Sequence, residues 1–453
     1  MWAKTRPRKK EKGTRVARPL ALSRMPFFLI AVLALGISPF LKSGVSSAAF
    51  DDASLVSTST REGRLIVFDD VWETIQERYY DPTFRGIDWP ANRAAFRRAA
   101  VDARGSQEFY EVLRQMIRPL KDAHTRVYSP EEKFDWWNPR FVTVGLAIRE
   151  VDGVPTVVQV EPKSAPAEVG VRPGDVIVNI DGVSASSFLE RRLKNSTTPP
   201  DVSARFHAFS TLLDGPADTS IKLVWQQRDG KTKSAIFQRH WIQRRLGVQF
   251  QRKGKFLIID FQAFTQAIAL NFARSMPKLV HGANGIVLDL RANGGGDAEA
   301  MADVASAFLG DGFSLGRFVD RWGASFELHA NSRLLWPAAP LAQTRLPLVV
   351  LTSENTSSAA EILVAALQTK RRARVIGTET CGCVLAIRSR HSLPDGGLLD
   401  TSEFDYRTAE GVRLQDVGIK PDETIPLNRS AIYSRRDPAM ESARIFLKKS
   451  AGK

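Results

Sequence analysis

With 453 residues the chain can fill two or three cores of ordinary size, roughly 100 to 200 residues each. Its 43% hydrophobic and 25% charged content excludes both a disordered chain and a polytopic membrane protein. A formal charge of +15 invites a nucleic-acid reading, but nine Lys or Arg against one acid, Glu11, fall within residues 1–24, about half of the excess. The rest is dispersed without basic runs interleaved with aromatics, so nucleic acid is not an expected partner.

In chain order, the basic start runs into PFFLIAVLALGI and then into a small-residue stretch ending at Ala48 and Ala49. Basic, apolar and small-residue parts in that order have the layout of a secretory signal. The apolar run is shorter than the ~20 residues of a spanning helix, although its extension over residues 26–41 leaves membrane association open. Residues 1–49 are therefore expected to be a signal peptide or N-terminal anchor, and the mature chain to be exported to the periplasm or cell envelope. Residues 50–137 read as a small helical region: Leu65, Phe68, Trp72, Ile75 and Tyr79 step by three or four, as do Phe109, Leu113, Met116 and Leu120. The turn-rich DPTFRGIDWP interrupts them.

From about residue 138 to 240 the pattern changes to short strands rich in β-branched residues: FVTVGLAIRE, VPTVVQVE, VIVNIDG and SIKLVWQQRDGKTKSAIF. Within SAPAEVGVRPGDVIVNIDGV, a short helix ending at Gly170, a Pro173-Gly174-Asp175 turn and a buried strand to Asp181-Gly182 follow in order. That string resembles a PDZ domain. The resemblance implies a groove that takes a peptide C-terminus as an added strand, its carboxylate held by backbone N–H groups of Val144, Gly145, Leu146 and Ala147. Residues 241–430 then alternate strands and helices, the signature of an α/β domain with active groups at strand ends. Residues 431–453 read as a C-terminal tail.

Two strand-to-helix junctions bear chemistry. In LDLRANGGGDAEA, Gly294, Gly295 and Gly296 place backbone N–H groups at a helix N-terminus, suited to an anion or simply to a tight turn. In VVLTSENTSSAAEIL, Ser358 opens a helix after a buried strand, a place from which a nucleophile projects. Ser358-x-x-Glu361 is equally a capping box, which needs no chemistry.

These two junctions, the PDZ-like string before them and GVRLQDVGIKPD after them together resemble the C-terminal-processing, or tail-specific, serine protease family. The resemblance implies a crotonase-like core with an inserted β-rich PDZ domain, a serine endopeptidase without cofactor or metal, and protein or peptide substrates with free C-termini. Thr356-Ser357-Ser358-Ala359-Ala360-Glu361 aligns with the family's Ser-Ala-Ser-Ala-Ser-Glu, so Ser358 takes the nucleophile place. The oxyanion hole falls to the N–H of Ala359 and of Gly295 or Gly296.

The family's dyad lysine would lie 25 residues beyond the serine, where this chain has Cys383, and no lysine occurs between Lys370 and Lys420. A histidine, with an ordinary pKa near 6.5, serves as a base without the large shift that a lysine needs. Of His124, His207, His240, His281, His329 and His391, His124 lies in Asp122-Ala-His-Thr. This resembles the Asp-x-His-Thr string of the tricorn-like branch, where that histidine is the base and a glutamate near the chain end supports it. Gln415 aligns with that glutamate, and Asp416 follows. A glutamine orients an imidazole through its carbonyl but does not stabilise imidazolium as a carboxylate does. Cys383 as nucleophile lacks a neighbouring base. A disulfide with Cys381 two residues away on a strand would sit near the upper limit of Cα separation, so a small apolar filler is the preferred expectation. The rival to a protease is a scaffold that has lost its base and retains peptide capture.

Overall fold

The computed structural model describes residues 56–132, 140–194, 202–243, 246–331 and 343–451. The expected signal or anchor over residues 1–49 lies outside these.

A six-stranded sheet positions the site. Its order is Val248–Lys253, Phe256–Phe261, Gly285–Asp289, Leu348–Thr352, Arg374–Gly377 and Glu423–Thr424. The first pair is antiparallel and the remaining pairs are parallel. Strands such as LVVLT, buried at every position, read as continuous apolar runs because both sheet faces are covered. Alternate residues Leu257, Ile259, Leu288 and Val350 pack on the helices Gln266–Val280, Ala298–Leu309 and Ala359–Thr369. Ile258, Val287, Val349 and Ile376 face the opposite way, against Ala439, Ala443 and Leu447. Those three belong to the helix Pro438–Ser450. The segment expected as a tail therefore closes the second face of the sheet, its four-residue apolar spacing matching one helix stripe.

The β-rich segment forms an antiparallel sheet in the order Leu146–Val151, Val154–Val160, Val176–Ile180, Ser220–Gln226 and Thr232–Gln238. Its core includes Ile148, Val157, Ile177, Leu189, Phe209, Leu223 and Trp225. Two helices, Ala185–Lys194 and Val202–Ser210, come from a stretch for which no helix was expected. A two-stranded ribbon, Arg140–Thr143 with His240–Gln243, joins the segment to the remainder.

In the N-terminal region the helices Arg61–Arg78 and Ser106–Ile117 follow the expected stripes. A third, Trp89–Asp102, lies between them with few buried residues, so its weak periodicity hid it. Their core extends to Val127, Leu393 and Leu399. The first is on the strand Arg126–Tyr128, which pairs with Leu398–Asp400 and so attaches the turn carrying His124 to the C-terminal half of the chain.

Candidate active site

Ser358 ends the turn after strand Leu348–Thr352 and caps the helix Ala359–Thr369, with φ 56° and ψ −126°. This is a backbone conformation that costs a non-glycine residue about 1–3 kcal/mol and persists only where neighbours enforce it. Its N–H donates both to the Cys383 carbonyl at 2.9 Å and to Glu361 Oε2 at 3.1 Å. Serine and glutamate thus stand in the capping-box arrangement, the Glu361 carboxylate taking the Ser358 N–H and the serine side chain facing the Glu361 N–H. The preceding residue is held as well, since Ser357 N–H donates to the Asn293 carbonyl at 3.2 Å.

Asn293, fully buried, knits the two junctions together. Its carbonyl takes Ser357, its Nδ2 donates to the Phe261 carbonyl at 2.8 Å, and its Oδ1 accepts the Gly295 N–H at 2.8 Å. Gly295, at φ 96°, lies against the serine so closely that a Cβ there would come within 2.7 Å of Ser358 Cβ. Glycine is required by that approach. Because the Gly295 N–H is committed to Asn293, the expected oxyanion donors left without a partner among the described residues are those of Gly296 and Ala359. Asn293 stood beside the glycines in the sequence, where an Asx turn was a readable signal.

A third loop, Thr380–Leu385, supports the serine from the other side. Glu361 is buried and accepts from Thr380 Oγ1 at 2.5 Å, Gly382 N at 2.8 Å and Cys383 N at 2.9 Å, besides Ser358 N. Burial pushes its carboxyl up to about 7 while those donors hold it down. Glu361 is thus the hub of this loop as well as half of a cap. Cys381 and Cys383, expected as apolar filler, are joined in a disulfide with Cα atoms 5.2 Å apart. The extended strand assumed for them is absent. Gly382 at φ 70° bends the chain, which brings the pair within the usual separation.

Gln415 is buried beside this loop. Its Oε1 accepts from Val384 N at 2.9 Å and Leu385 N at 3.2 Å, and its Nε2 donates to Asp416 Oδ1 at 2.9 Å. The carbonyl expected to orient an imidazole is therefore occupied by the loop. Asp416 donates its N–H to the Gly382 carbonyl at 2.8 Å and pairs with Arg85 at 3.0 Å. Neither residue is hydrogen-bonded to His124.

His124 occupies the turn before strand Arg126–Tyr128. Its side chain is 18% exposed, Nδ1 is buried without a hydrogen-bond partner, and the nearest carboxylate oxygen, Asp122 Oδ1, is 3.9 Å from it. Burial pushes the imidazole pKa below its ordinary value, with Asp122 opposing and Arg126 assisting. Asp122 is fully buried and accepts from His124 N at 2.8 Å and Thr125 Oγ1 at 2.5 Å. Among the described residues no hydrogen bond joins His124 to Ser358. Of the other histidines, His391 pairs with Asp70 at 2.8 Å. His207, lowered by burial and by Arg126 and Arg192, lies on the helix Val202–Ser210.

That helix meets the serine site: Ser203 Oγ is 3.3 Å from Cys383 Sγ. From the adjoining strand, Arg149 pairs with Glu354 at 2.8 Å, and Glu354 accepts from Thr378 Oγ1 at 3.0 Å. Arg205 pairs with Glu150, and Arg149 lies over the Phe206 ring at 4.4 Å, closing the helix onto the strand Leu146–Val151. Val144 is buried, and the Gly145 N–H is taken by Thr143 Oγ1 at 2.9 Å. Leu146 and Ala147 pair with Val160 and Gln159.

Comparison with known proteins gives a consistent result. Residues 255–425 match peptidase family S41, and residues 62–118 match the tricorn protease C1 domain. A carboxyl-terminal-processing protease of Synechocystis sp. is 26% identical over 386 residues, covering 81% of each chain. The chloroplastic carboxyl-terminal-processing peptidase 2 of Arabidopsis thaliana is 28% identical over 406 residues, 86% of this chain and 74% of the relative. Among solved structures, the photosystem II D1 C-terminal processing protease aligns over 81% of this chain and 94% of its own with a TM-score of 0.52 at 24% identity. Mature CPAF aligns over 86% and 96% with a TM-score of 0.64 at 13% identity.

Proposed function

This chain belongs to peptidase family S41 and is a serine-type peptidase, and from that premise we propose that it is an exported endopeptidase that captures protein C-termini and cleaves with Ser358 as nucleophile and His124 as base. The observation that carries the reading is the serine itself. Ser358 is held at φ 56° on a strand-to-helix turn packed against Gly295, with the Ala359 and Gly296 N–H groups unpartnered among the described residues. Ser358 Oγ attacks the scissile carbonyl, His124 accepts its proton, and Ala359 with Gly296 holds the oxyanion. The imidazolium then protonates the leaving amine, and water releases the acyl group by the same steps in reverse order.

Two features support His124. Burial keeps the ring neutral at neutral pH, the state a base must have. Asp122, fully buried at 3.9 Å, is the carboxylate placed to favour the imidazolium, a part that the sequence resemblance assigns to Gln415 or Asp416. Closure of the turn over a substrate would complete the Ser358–His124 bond, as catalytic bonds commonly tighten only in the substrate complex. The antiparallel sheet between Leu146 and Gln238 serves, in this reading, as the PDZ domain, with the main chain of residues 144–147, apart from the Gly145 N–H that Thr143 takes, receiving the terminal carboxylate. The six-stranded sheet with its helices is the crotonase-like core. The basic-apolar start of the chain supports export.

The test is cleavage of an unfolded protein and of peptides with apolar C-termini by the purified protein. Ser358→Ala and His124→Ala should abolish it, and His207→Ala should leave it. Binding of the peptides without cleavage by the wild type would overturn the catalytic reading in favour of a peptide-capturing scaffold. Retained cleavage in His124→Ala would move the base elsewhere.

A further inference from the structure

The proposed mechanism leaves the Cys381–Cys383 disulfide unused, although its loop is bonded to Thr356, Ser358 and Glu361. We propose that this pair is a reversible redox site, and that its reduction by a dithiol loosens the Ser358 turn and lowers peptidase activity. The proposal rests on Ser358 as the nucleophile.

All three residues of the Cys-Gly-Cys turn are tethered to the nucleophile or its neighbours. The Cys381 N–H donates to the Thr356 carbonyl at 3.0 Å, two residues before the serine. The Gly382 and Cys383 N–H groups converge on Glu361, the Cys383 carbonyl takes the Ser358 N–H, and the Gly382 carbonyl takes the Asp416 N–H. On the opposite side, Cys383 Sγ rests 3.3 Å from Ser203 Oγ. A disulfide spanning one residue closes a loop far shorter than those from which such bonds draw most of their stabilisation. A role as a folding staple is thus the weaker explanation for it.

The two sulfurs differ in access. Cys383 is 4% exposed, whereas Cys381 is partly open. A thiolate of the reductant therefore attacks Cys381 Sγ, forming a mixed disulfide while Cys383 leaves as thiolate and takes up a proton. The second thiol of the reductant then attacks the mixed disulfide and releases Cys381 as thiol. Two electrons and two protons pass to the protein, and the reductant ends as its own disulfide. The freed sulfurs must separate from the bonded ~2.05 Å to van der Waals distance, a movement on the order of 1.5 Å. With the cross-link gone, the turn that it fixed is free to shift, and with it the Cys383 carbonyl that holds Ser358 and the Cys383 N–H that holds Glu361. Misplacement of a reacting group by about 1 Å costs on the order of 100-fold, so reduction should lower kcat/KM by about 10- to 100-fold.

The experiment equilibrates the full chain in ratios of reduced to oxidised dithiothreitol under native conditions. It reads thiols by alkylation and mass, peptide cleavage, and hydrogen exchange at the amides of Ser358, Gly382 and Cys383. Thiol appearance, faster exchange and loss of cleavage should share one midpoint and reverse on reoxidation. Ser358→Ala should show the same exchange response with no cleavage, which separates failure of the redox proposal from failure of the nucleophile assignment. Cys381→Ser, which cannot form the bond, should behave as the reduced enzyme and ignore the reductant. Thiols that never appear, or that appear with exchange and cleavage unchanged, would overturn the proposal.

Discussion

Around Ser358, four donors converge on the buried Glu361 carboxylate, and the Thr356, Ser357 and Ser358 main chain is bonded to two other loops. Around His124, the ring Nδ1, the Tyr79 hydroxyl, Thr401 Oγ1 and Ser402 Oγ are all buried with no hydrogen-bond partner among the described residues. These groups share one neighbourhood: the Ser402 N–H donates to Thr125 Oγ1, the Ser402 carbonyl takes the Tyr80 N–H, and Asp122 helps burial push the Tyr79 phenol up. Native structures leave few buried polar groups unpaired. The proposed nucleophile is thus preorganised and strained, and the proposed base sits on a turn whose buried polar groups lack partners among the described residues.

The widest test of that asymmetry is His124→Ala. Loss of a general base should lower kcat/KM by about 10² to 10⁴. Thermal stability should hold or rise, since an unpaired buried nitrogen is removed. Rates and melting curves of the same preparation check both, and a large drop in melting temperature would show that the turn is better satisfied than it looks.

Glu361→Gln strikes the opposite side. The amide group turns a donor toward one of four donors, so a loss of about 1–3 kcal/mol for each unsatisfied group and a roughly 100-fold fall in kcat/KM are expected together. The pH dependence has a definite sign. The carboxyl pKa is raised from 4.5 to about 7 in the folded protein, so its contribution to stability is fully present below 4.5 and is lost as pH rises through 7. Stability of the wild type relative to Glu361→Gln should therefore fall by a few kcal/mol, on the order of 1.4 kcal/mol for each pH unit, between pH 4.5 and 7. Denaturant melts at both ends of that range measure it.

Asp122→Asn gives a smaller effect with a diagnostic direction. Asp122 raises the His124 pKa against burial, so its loss lowers that pKa further. The acid limb of kcat/KM should lie below the ordinary 6.5 in the wild type and move further acid in the variant, with a drop in rate of about 10-fold, or 1.4 kcal/mol. An acid limb that stays in place would remove Asp122 from the mechanism.

Much of the sheet with its helices was legible because strands buried on both faces appear as plain apolar runs and the helices between them carry clear stripes. Ser358 was legible through Glu361, whose spacing anchors the turn, although the same spacing disguised how much Glu361 does. The disulfide was not, because a pairing two residues apart depends on the φ of Gly382, and a left-handed glycine leaves no mark in composition. Helix Trp89–Asp102 and the closing helix Pro438–Ser450 escaped for opposite reasons: one buries few residues, and the other shows its Ala439, Ala443, Leu447 stripe in residues too small to stand out. The bonds of Gln415 were beyond reach as well, since its partners Val384 and Leu385 lie some 30 residues away.

That residue offers the finest discrimination. A glutamate at position 415 would match the supporting residue of the tricorn-like pattern, so Gln415→Glu ought to raise activity if alignment alone set its role. The structure gives another outcome. Glutamate would keep an acceptor for the Val384 and Leu385 N–H groups, but the amide donated to Asp416 at 2.9 Å would become a second carboxylate, itself buried, facing that of the exposed Asp416. Like charges so placed raise one pKa and cost stability, roughly 1–2 kcal/mol at neutral pH, since a tenfold change in a protonation equilibrium is worth about 1.4 kcal/mol. Arg413 and Arg85, which already pair with Asp416 at 3.6 and 3.0 Å, would absorb part of that cost. Cleavage rates within about twofold of wild type, the scale of ~0.4 kcal/mol, with a lower melting temperature above neutral pH are expected. A gain in kcat of about tenfold or more would instead mean that the loop can release residue 415 to His124, and would erase the distinction between the rigid side of this site and the poised one.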